Sequence, residues 1–344
     1  MSHKTKLLSF TAVAAAAALA LTGCVAGEGS AIAEAGSDGD SAWSTDALNI
    51  DFATYSPLSL VIKEQGWLED ELEDVTVTWL QSAGSNKANE ALRAGAVDVG
   101  STAGSAALLA RSNGSPIQVV SLYSQPEWSA IVVPADSPIQ TVEDLRGKRI
   151  AATKGTDPYF FLLQTLEEAG VGLDEVTVEN LQHADGGNAL VNGTVDAWSG
   201  LDPIMAATEI EHGTKLIYRN IDFNTYGFLN ATEDFITNHP DVLQVVVNAY
   251  EKARLWALDN PDETAQYLAD YSGIDIEVAR KVLIERTNLE VNKPGQQQRD
   301  VLEIVGPIFV DSDDVASQAD IDAALDSLIN DSFYANLDPD SIGD

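Results

Sequence analysis

From residue 48 onward the chain alternates short β-branched runs with helical patterns, and this alternation restricts the possible folds more than any other feature. LNIDF (48–52) reads as a strand and 58–66 as a helix closed by Gly66. VTVTWL (75–80) alternates as a strand, 86–94 is helical, 97–101 a strand and 105–113 a helix, followed by strands at 117–123 and 130–133. A second series follows Pro134: a helical turn at 142–145, strand RIAA at 149–152, a helix over 159–169 ending at Gly170, a strand at 176–180, a helix closing at 189–192 and a strand at 195–199. A strand returns at 226–230. The helix over 241–260 then carries Leu243, Val246, Val247, Tyr250 and Ala257 on one stripe and stops at Pro261. Strands joined through helices lie parallel with helices on their faces, so the chain is expected to be α/β, built from mostly parallel sheets flanked by helices.

An internal echo points to two lobes. ALRAGAVDV (91–99) and ALVNGTVDA (189–197) share the pattern A-L-x-x-G-x-V-D. Each reads as a helix end, a glycine able to take the left-handed cap conformation, a tight turn and a strand. STAGS (101–105) follows the first strand and SGLDP (199–203) the second, and both loops lie at a strand's carboxyl end, where open parallel sheets bind ligands. The length of 344 residues also fits two domains.

The N-terminus has a different character. Lys4 and Lys6 precede an apolar run (7–20), which has the length of a signal-peptide core and is short for a membrane span. Leu21-Thr22-Gly23-Cys24 then places the chain's single cysteine after a small residue, the lipobox pattern of bacterial lipoproteins. Residues 1–23 are therefore expected to be a lipoprotein signal peptide and Cys24 the lipidated residue, with no internal disulfide possible. The span 24–46, rich in Gly, Ser, Ala and acids, reads as a flexible tether of roughly 25 Å average reach. The folded part is expected outside the cytoplasm, anchored by lipid on the extracytoplasmic face of the cell membrane, with one lobe from 47–130 and 222–344 and the other from 131–221.

Charge excludes some partners. The formal net charge is −35, and removing residues 1–23 takes away two lysines and no acid, leaving −37. Such a surface repels nucleic acid, which needs a basic footprint, and it repels anionic lipid headgroups, so acyl chains must supply the membrane attachment. His3, His183, His212 and His239 are scattered without metal-ligand spacing, GSTAG (100–104) has threonine where a nucleophile elbow needs serine, and no phosphate loop occurs. The expectation is a binding protein with no catalytic residues, no metal and no cofactor.

Three loops are suited to holding an oxyanion with neutral donors. Lys154-Gly155-Thr156-Asp157-Pro158-Tyr159 follows a strand and opens a helix, with Gly155 allowing close approach, Thr156 or Asp157 as cap and Pro158 in the first turn. The 101–105 loop, with Thr102 and Ser105, and the Ser82-Ala83-Gly84-Ser85 loop, with Ser82, offer the same arrangement. Taken singly each is an ordinary helix cap; together they could form an anion site. Tyr55, Trp128, Tyr159, Trp198 and Tyr226 lie near loops and could wall the organic part of a ligand, or could be core. Asp202 either caps the helix after Pro203 or faces a ligand amine.

The chain resembles the solute-binding proteins of ABC importers, in the aliphatic sulfonate, taurine and nitrate group. The residues that carry the likeness are LNIDFATYSPL (48–58), KEQGWL (63–68), ALRAGAVDVGST (91–102), VDAWSGLDP (195–203), DFITNHPDV (234–242) and, most specifically, SAIVVPADSPIQTVEDLRGKRIAATKGT (129–156). The resemblance implies a two-lobed periplasmic-binding-protein type II fold, a Venus flytrap with two crossovers near 129–134 and 218–230. It further implies a monomer that binds a small organic anion between the lobes, foremost an aliphatic sulfonate, and delivers it to a membrane permease. Nitrate, taurine and a thiamine-precursor pyrimidine or amine are the alternatives from neighbouring branches.

Overall fold

The computed structural model describes residues 42–343. Cys24, the signal peptide and most of the tether lie outside the described residues. Along the described chain run the strands β1 (Ala47–Phe52), β2 (Thr76–Gln81), β3 (Val99–Ala103), β4 (Ile117–Pro126), β5 (Ile131–Val133), β6 (Arg149–Ala152), β7 (Thr177–Asn180), β8 (Ala197–Ser199), β9 (Lys215–Tyr218), β10 (Gly227–Thr232) and β11 (Thr287–Asn288). They form a six-stranded sheet in the order β11-β4-β10-β3-β1-β2 and a five-stranded sheet in the order β7-β6-β8-β5-β9. The chain leaves the first sheet after Pro126, completes the second, and returns at Gly227, so two connections join the lobes.

Both sheets are mixed, which corrects the expectation of mostly parallel sheets. β1 pairs parallel with β2 and β3, and β6 pairs parallel with β7 and β8. The returning β10, however, inserts antiparallel between β3 and β4, and β5 pairs antiparallel with β8 and β9. The reason is topological. A chain that leaves one sheet for another and comes back re-enters without a covering helix, and an antiparallel strand needs no crossover helix.

The two echo segments share one geometry. Gly95 and Gly193 adopt left-handed φ values of 66° and 68°, which a side chain would strain. Each is followed by an aspartate doing the same work: Asp98 accepts the Asn49 N–H within β1, and Asp196 accepts the Arg149 N–H at the start of β6, both at 2.8 Å. Each aspartate thus ties its own strand to the neighbouring parallel one. The repeated V-D is a register device used once per lobe.

The first lobe buries Leu48 and Ile50 of β1 against Leu58, Val61, Leu243, Val246 and Leu268 from the helices Pro57–Gln65, Pro240–Asp259 and Pro261–Ser272. A second cluster runs across the lobes. Phe160 of helix Asp157–Glu168 meets Phe309 of helix Gln296–Asp311, with ring centroids 4.3 Å apart. Among the described residues no helix is long and apolar enough to cross a membrane.

Gly227 opens β10 where Tyr123 of β4 lies flat across it. A Cβ there would sit 2.2 Å from the ring. Replacing Gly227→Ala is therefore expected to cost about 1–3 kcal/mol through overpacking, read as a lower urea midpoint. Gly227→Ala combined with Tyr123→Phe, which keeps the ring, should recover none of that loss.

Candidate functional site

The loops at the carboxyl ends of the strands meet where the lobes face each other. Tyr55 follows β1, Ser85 follows β2, Ala103 ends β3, Thr156, Asp157 and Pro158 follow β6, His183 follows β7 and Leu201 follows β8. Together with Trp128 of the first connection they line a narrow cavity between the lobes. Four helices start at this wall: Ser85–Arg93, Gly104–Ser112, Asp157–Glu168 and His183–Val191. Helix N-termini carry unpaired N–H groups and partial positive charge, so their convergence favours a negatively charged group between them. The three loops singled out in the sequence do come together, joined by a fourth terminus at His183.

One of the four termini is served by the protein itself. The Gly104 N–H donates to Tyr226 O at 2.9 Å and the Ser105 N–H to Thr225 Oγ1 at 3.0 Å. Beside them lies the Asp157 carboxylate, buried and accepting four hydrogen bonds, two on each oxygen. Ser105 Oγ (2.5 Å) and Thr225 Oγ1 (2.7 Å) donate to Oδ1; Trp128 Nε1 (2.7 Å) and Thr225 N (2.8 Å) donate to Oδ2. Burial raises the pKa of this carboxyl and the four donors oppose the rise. Ser105 belongs to the first lobe, Asp157 to the second, and Trp128 and Thr225 to the two connections, so one side chain ties all four.

Of the other residues expected to bind ligand, Tyr55, Trp128 and Thr156 line the cavity. Tyr55 and Trp128 meet edge to face, centroids 6.3 Å apart, and separate this cavity from a second narrow space lined also by Thr54, Pro126, Leu268, Asp202 and Arg286. Thr156 spends its hydroxyl proton on Thr153 O at 2.6 Å. Ser82 turns back to lie beside Asp51 and Tyr55 instead, because β2 ends at Gln81 and the helix starts only at Ser85. Ser85 is the hydroxyl of that loop that reaches the cavity. It accepts the Ala103 N–H at 2.9 Å and keeps its own proton to donate.

The remaining candidates lie elsewhere. Thr102 is buried in the sheet and accepts a hydrogen bond from Asn230. Trp198 is fully buried in the second lobe, where Gly186 and Gly187 leave room for its indole. Tyr159 packs edge-on against Phe160 under Lys154, and Tyr226 belongs to the same cross-lobe core. Gly155 borders an open groove along helices Ser85–Arg93 and Gly104–Ser112, outside the cavity.

Asp202 does not face a ligand amine. Both its oxygens accept from Arg286 Nη1, at 3.2 and 3.0 Å, and Oδ1 also accepts the Ala206 N–H, so it caps the helix Ile204–His212. Arg286 precedes β11 of the first lobe and also pairs with Glu209, making a buried ion pair between lobes. Burial pushes the Asp202 carboxyl up to about 6 against the pull of Arg286. In the first lobe Asp51, wholly buried, is held by Ser101 N (2.8 Å) and Ser101 Oγ (2.9 Å) and has no cationic partner among the described residues. Burial pushes it up to about 7. Among the described residues no cluster could hold a metal ion.

Sequence reasoning passed over Ser85, Asp157 as an acceptor, and His183. Asp157 was visible as a helix-start residue, but nothing local says that its donors come from three other segments. His183 carried no capping signal, since Gln182 precedes it.

The NMT1/THI5-like family pattern matches residues 54–264. The chain belongs to that family. Within it, 233 residues are 30% identical to a putative aliphatic sulfonates-binding protein of Bacillus subtilis, covering 66% of this chain and 70% of that protein. A putative aliphatic sulfonates-binding protein of Escherichia coli is 27% identical over 75% of this chain and 84% of its own length. The fold matches the alkanesulfonate-binding protein SsuA of Xanthomonas axonopodis pv. citri bound to MOPS, with a TM-score of 0.74 and 23% identity over 84% of this chain and 99% of that one. The architecture of this family member is the two-lobed periplasmic-binding-protein type II fold.

Asp157→Ala should cost about 1–3 kcal/mol for each of the two N–H donors left unpaired, measured by urea unfolding. Asp157→Asn, whose oxygen can serve those two N–H groups while its amide donates to the hydroxyls, should lose less. Asp51 yields a pH prediction. Its pKa is raised from 3.8 to about 7, so the folded state holds the proton more tightly than the unfolded chain. The stability linked to it is full below about pH 4 and declines by about 1.4 kcal/mol per pH unit as pH rises towards 7. Asp51→Asn should accordingly be more stable than the parent at pH 8, with the gap closing as pH falls to 4 in urea titrations.

Proposed function

We propose that this chain is the solute-binding lipoprotein of an ABC importer. It binds a small organic anion, foremost an aliphatic sulfonate, in the cavity between its lobes and delivers it unchanged to a membrane permease. The observation that carries this reading is the convergence of helix N-termini on one buried cavity with an aromatic wall. The start of Ser85–Arg93 with the Ser85 hydroxyl, and the starts of Asp157–Glu168 and His183–Val191, supply donors for the oxyanion. Tyr55, Trp128 and Leu201 offer apolar surface to the tail. A single helix terminus contributes about 0.3–1 kcal/mol when exposed and up to about 2 when partly buried, so several acting together in a dry cavity can hold a sulfonate. The names of the relatives support the same class of solute. The lobes, joined by two connections, close around it as a monomer, and lipid at Cys24 holds the receptor at the extracytoplasmic face of the membrane.

Isothermal titration of the purified protein with ethanesulfonate, taurine, nitrate and a thiamine-precursor pyrimidine tests the solute. Ethanesulfonate is expected to bind most tightly, with a change in Trp128 fluorescence and no turnover. Tighter binding of one of the other three would reassign the solute within the same fold, and chemical conversion of the solute would make the chain an enzyme. Ser85→Ala should weaken ethanesulfonate binding about tenfold, the equivalent of one hydrogen bond of about 1.4 kcal/mol. Cys24→Ser should move the protein from the membrane fraction to the soluble one.

A further inference from the structure

His183 is the one side chain of the cavity with a polar atom left over. It is 2% exposed and stands at the start of helix His183–Val191, and its Nε2 has no hydrogen-bond partner. The state of its ring follows from its other nitrogen. Nδ1 lies 3.1 Å from Thr153 Oγ1, and that hydroxyl spends its proton on Leu181 O at 2.7 Å. The hydroxyl can then only accept, so Nδ1 carries the ring proton and Nε2 presents a bare lone pair. It does so at the seam between the lobes: a methyl group added at Gly84 would lie 2.9 Å from it.

A bare lone pair repels an oxyanion. The cavity lining contains no lysine or arginine, and its one carboxylate, Asp157, adds negative charge. Sealing an anion there without a counter-charge carries a large desolvation cost. A proton on Nε2 turns the acceptor into a charged donor and neutralises the pair. The other charged groups on the surrounding elements cannot substitute: Lys154 and Asp185 are exposed, Lys87 and Glu90 pair with each other at the surface, Glu179 lies half-buried on β7, and Glu209 is paired with Arg286.

We propose that His183 sets the charge state in which the cavity accepts its solute: an oxyanion enters together with one proton, which moves from solvent onto Nε2 and hydrogen-bonds to the bound oxygen. This rests on the reading of the solute as an anion. In the free protein burial holds His183 down to about 3, so at neutral pH it is uncharged and the proton is taken up on binding. Binding raises that value, so affinity is greatest at low pH and falls as pH rises towards the value in the complex.

Titration calorimetry of the full protein with ethanesulfonate, in buffers of different ionisation enthalpy between pH 5 and 8, reads the proton directly. The expected result is uptake of close to one proton per ethanesulfonate at pH 5–6, and a Kd that weakens by about tenfold per pH unit until the bound-state value is passed. The ¹⁵N shift of the His183 ring should move to that of an imidazolium on saturation. His183→Gln, neutral at every pH, should bind with no proton uptake and a Kd flat with pH. Binding by the parent without proton uptake, through a swapped neutral tautomer, would overturn the proposal while leaving the anion reading intact. Uptake that persists in His183→Gln would move the proton to Asp157 and likewise overturn it. Failure of ethanesulfonate to bind at any of these pH values would overturn both readings.

Discussion

A carboxylate taken out of water must find donors, and the Asp157 side chain finds four of them on three other stretches of chain. A buried charge of this kind is costly when left incomplete and rigid when complete, because each oxygen already has two partners and no alternative arrangement serves them all. Its position at the start of a second-lobe helix, with Ser105 from the first lobe and Trp128 and Thr225 from the connections, means that the cavity wall and the joints between lobes share one fixed point. Tyr55 takes its place against Trp128, and Trp128 is oriented by the bond from its indole to Asp157. The division of the cleft into two spaces depends on that bond.

Three buried aspartates at the carboxyl ends of the strands illustrate how context sets the behaviour of one chemical group. Asp157 is surrounded by neutral donors, Asp202 is matched by Arg286 across the lobes, and Asp51 has only Ser101 and the flanking hydroxyls. Burial raises all three, and what differs is the opposition to it: four hydrogen bonds for the first, a guanidinium for the second and the least for the third, which reaches about 7. In a chain of net charge −35 the interior is therefore where positive partial charge is concentrated, at helix starts, and where negative side chains are most constrained.

Much of this was legible in the chain. Period-2 and period-3.6 patterns located β1, β2, β6 and the long helix Pro240–Asp259 because in each the local pattern and the tertiary burial agree. The A-L-x-x-G-x-V-D echo was legible as a turn because its glycine answers to backbone shape, whereas the work of its aspartate depends on a neighbouring strand nearly fifty residues away. Trp198 and Asp202 were left with two readings each for a common reason. A tryptophan at a strand end and an aspartate before proline look alike whether the next layer is solvent, ligand or another segment, and for these two the next layer is Gly186 in one case and Arg286, 84 residues away, in the other. Ser82 and Ser85 differ by three residues, less than one turn, and only the true start of the helix decides which faces the cavity.

What the sequence by itself determined is the architecture: alternating strands and helices, two glycine-capped helix-to-strand turns, and three helix-opening loops at strand ends. These follow from local propensity and periodicity, which act over a few residues. What only the tertiary structure decided is the antiparallel insertion of β10, the pairing of Asp157 and Asp202 with distant donors, and the bare nitrogen of His183 facing the first lobe. Each of these depends on which segments meet after collapse. The energy of a buried polar group is set by partners far along the chain, and no local pattern records where they will be.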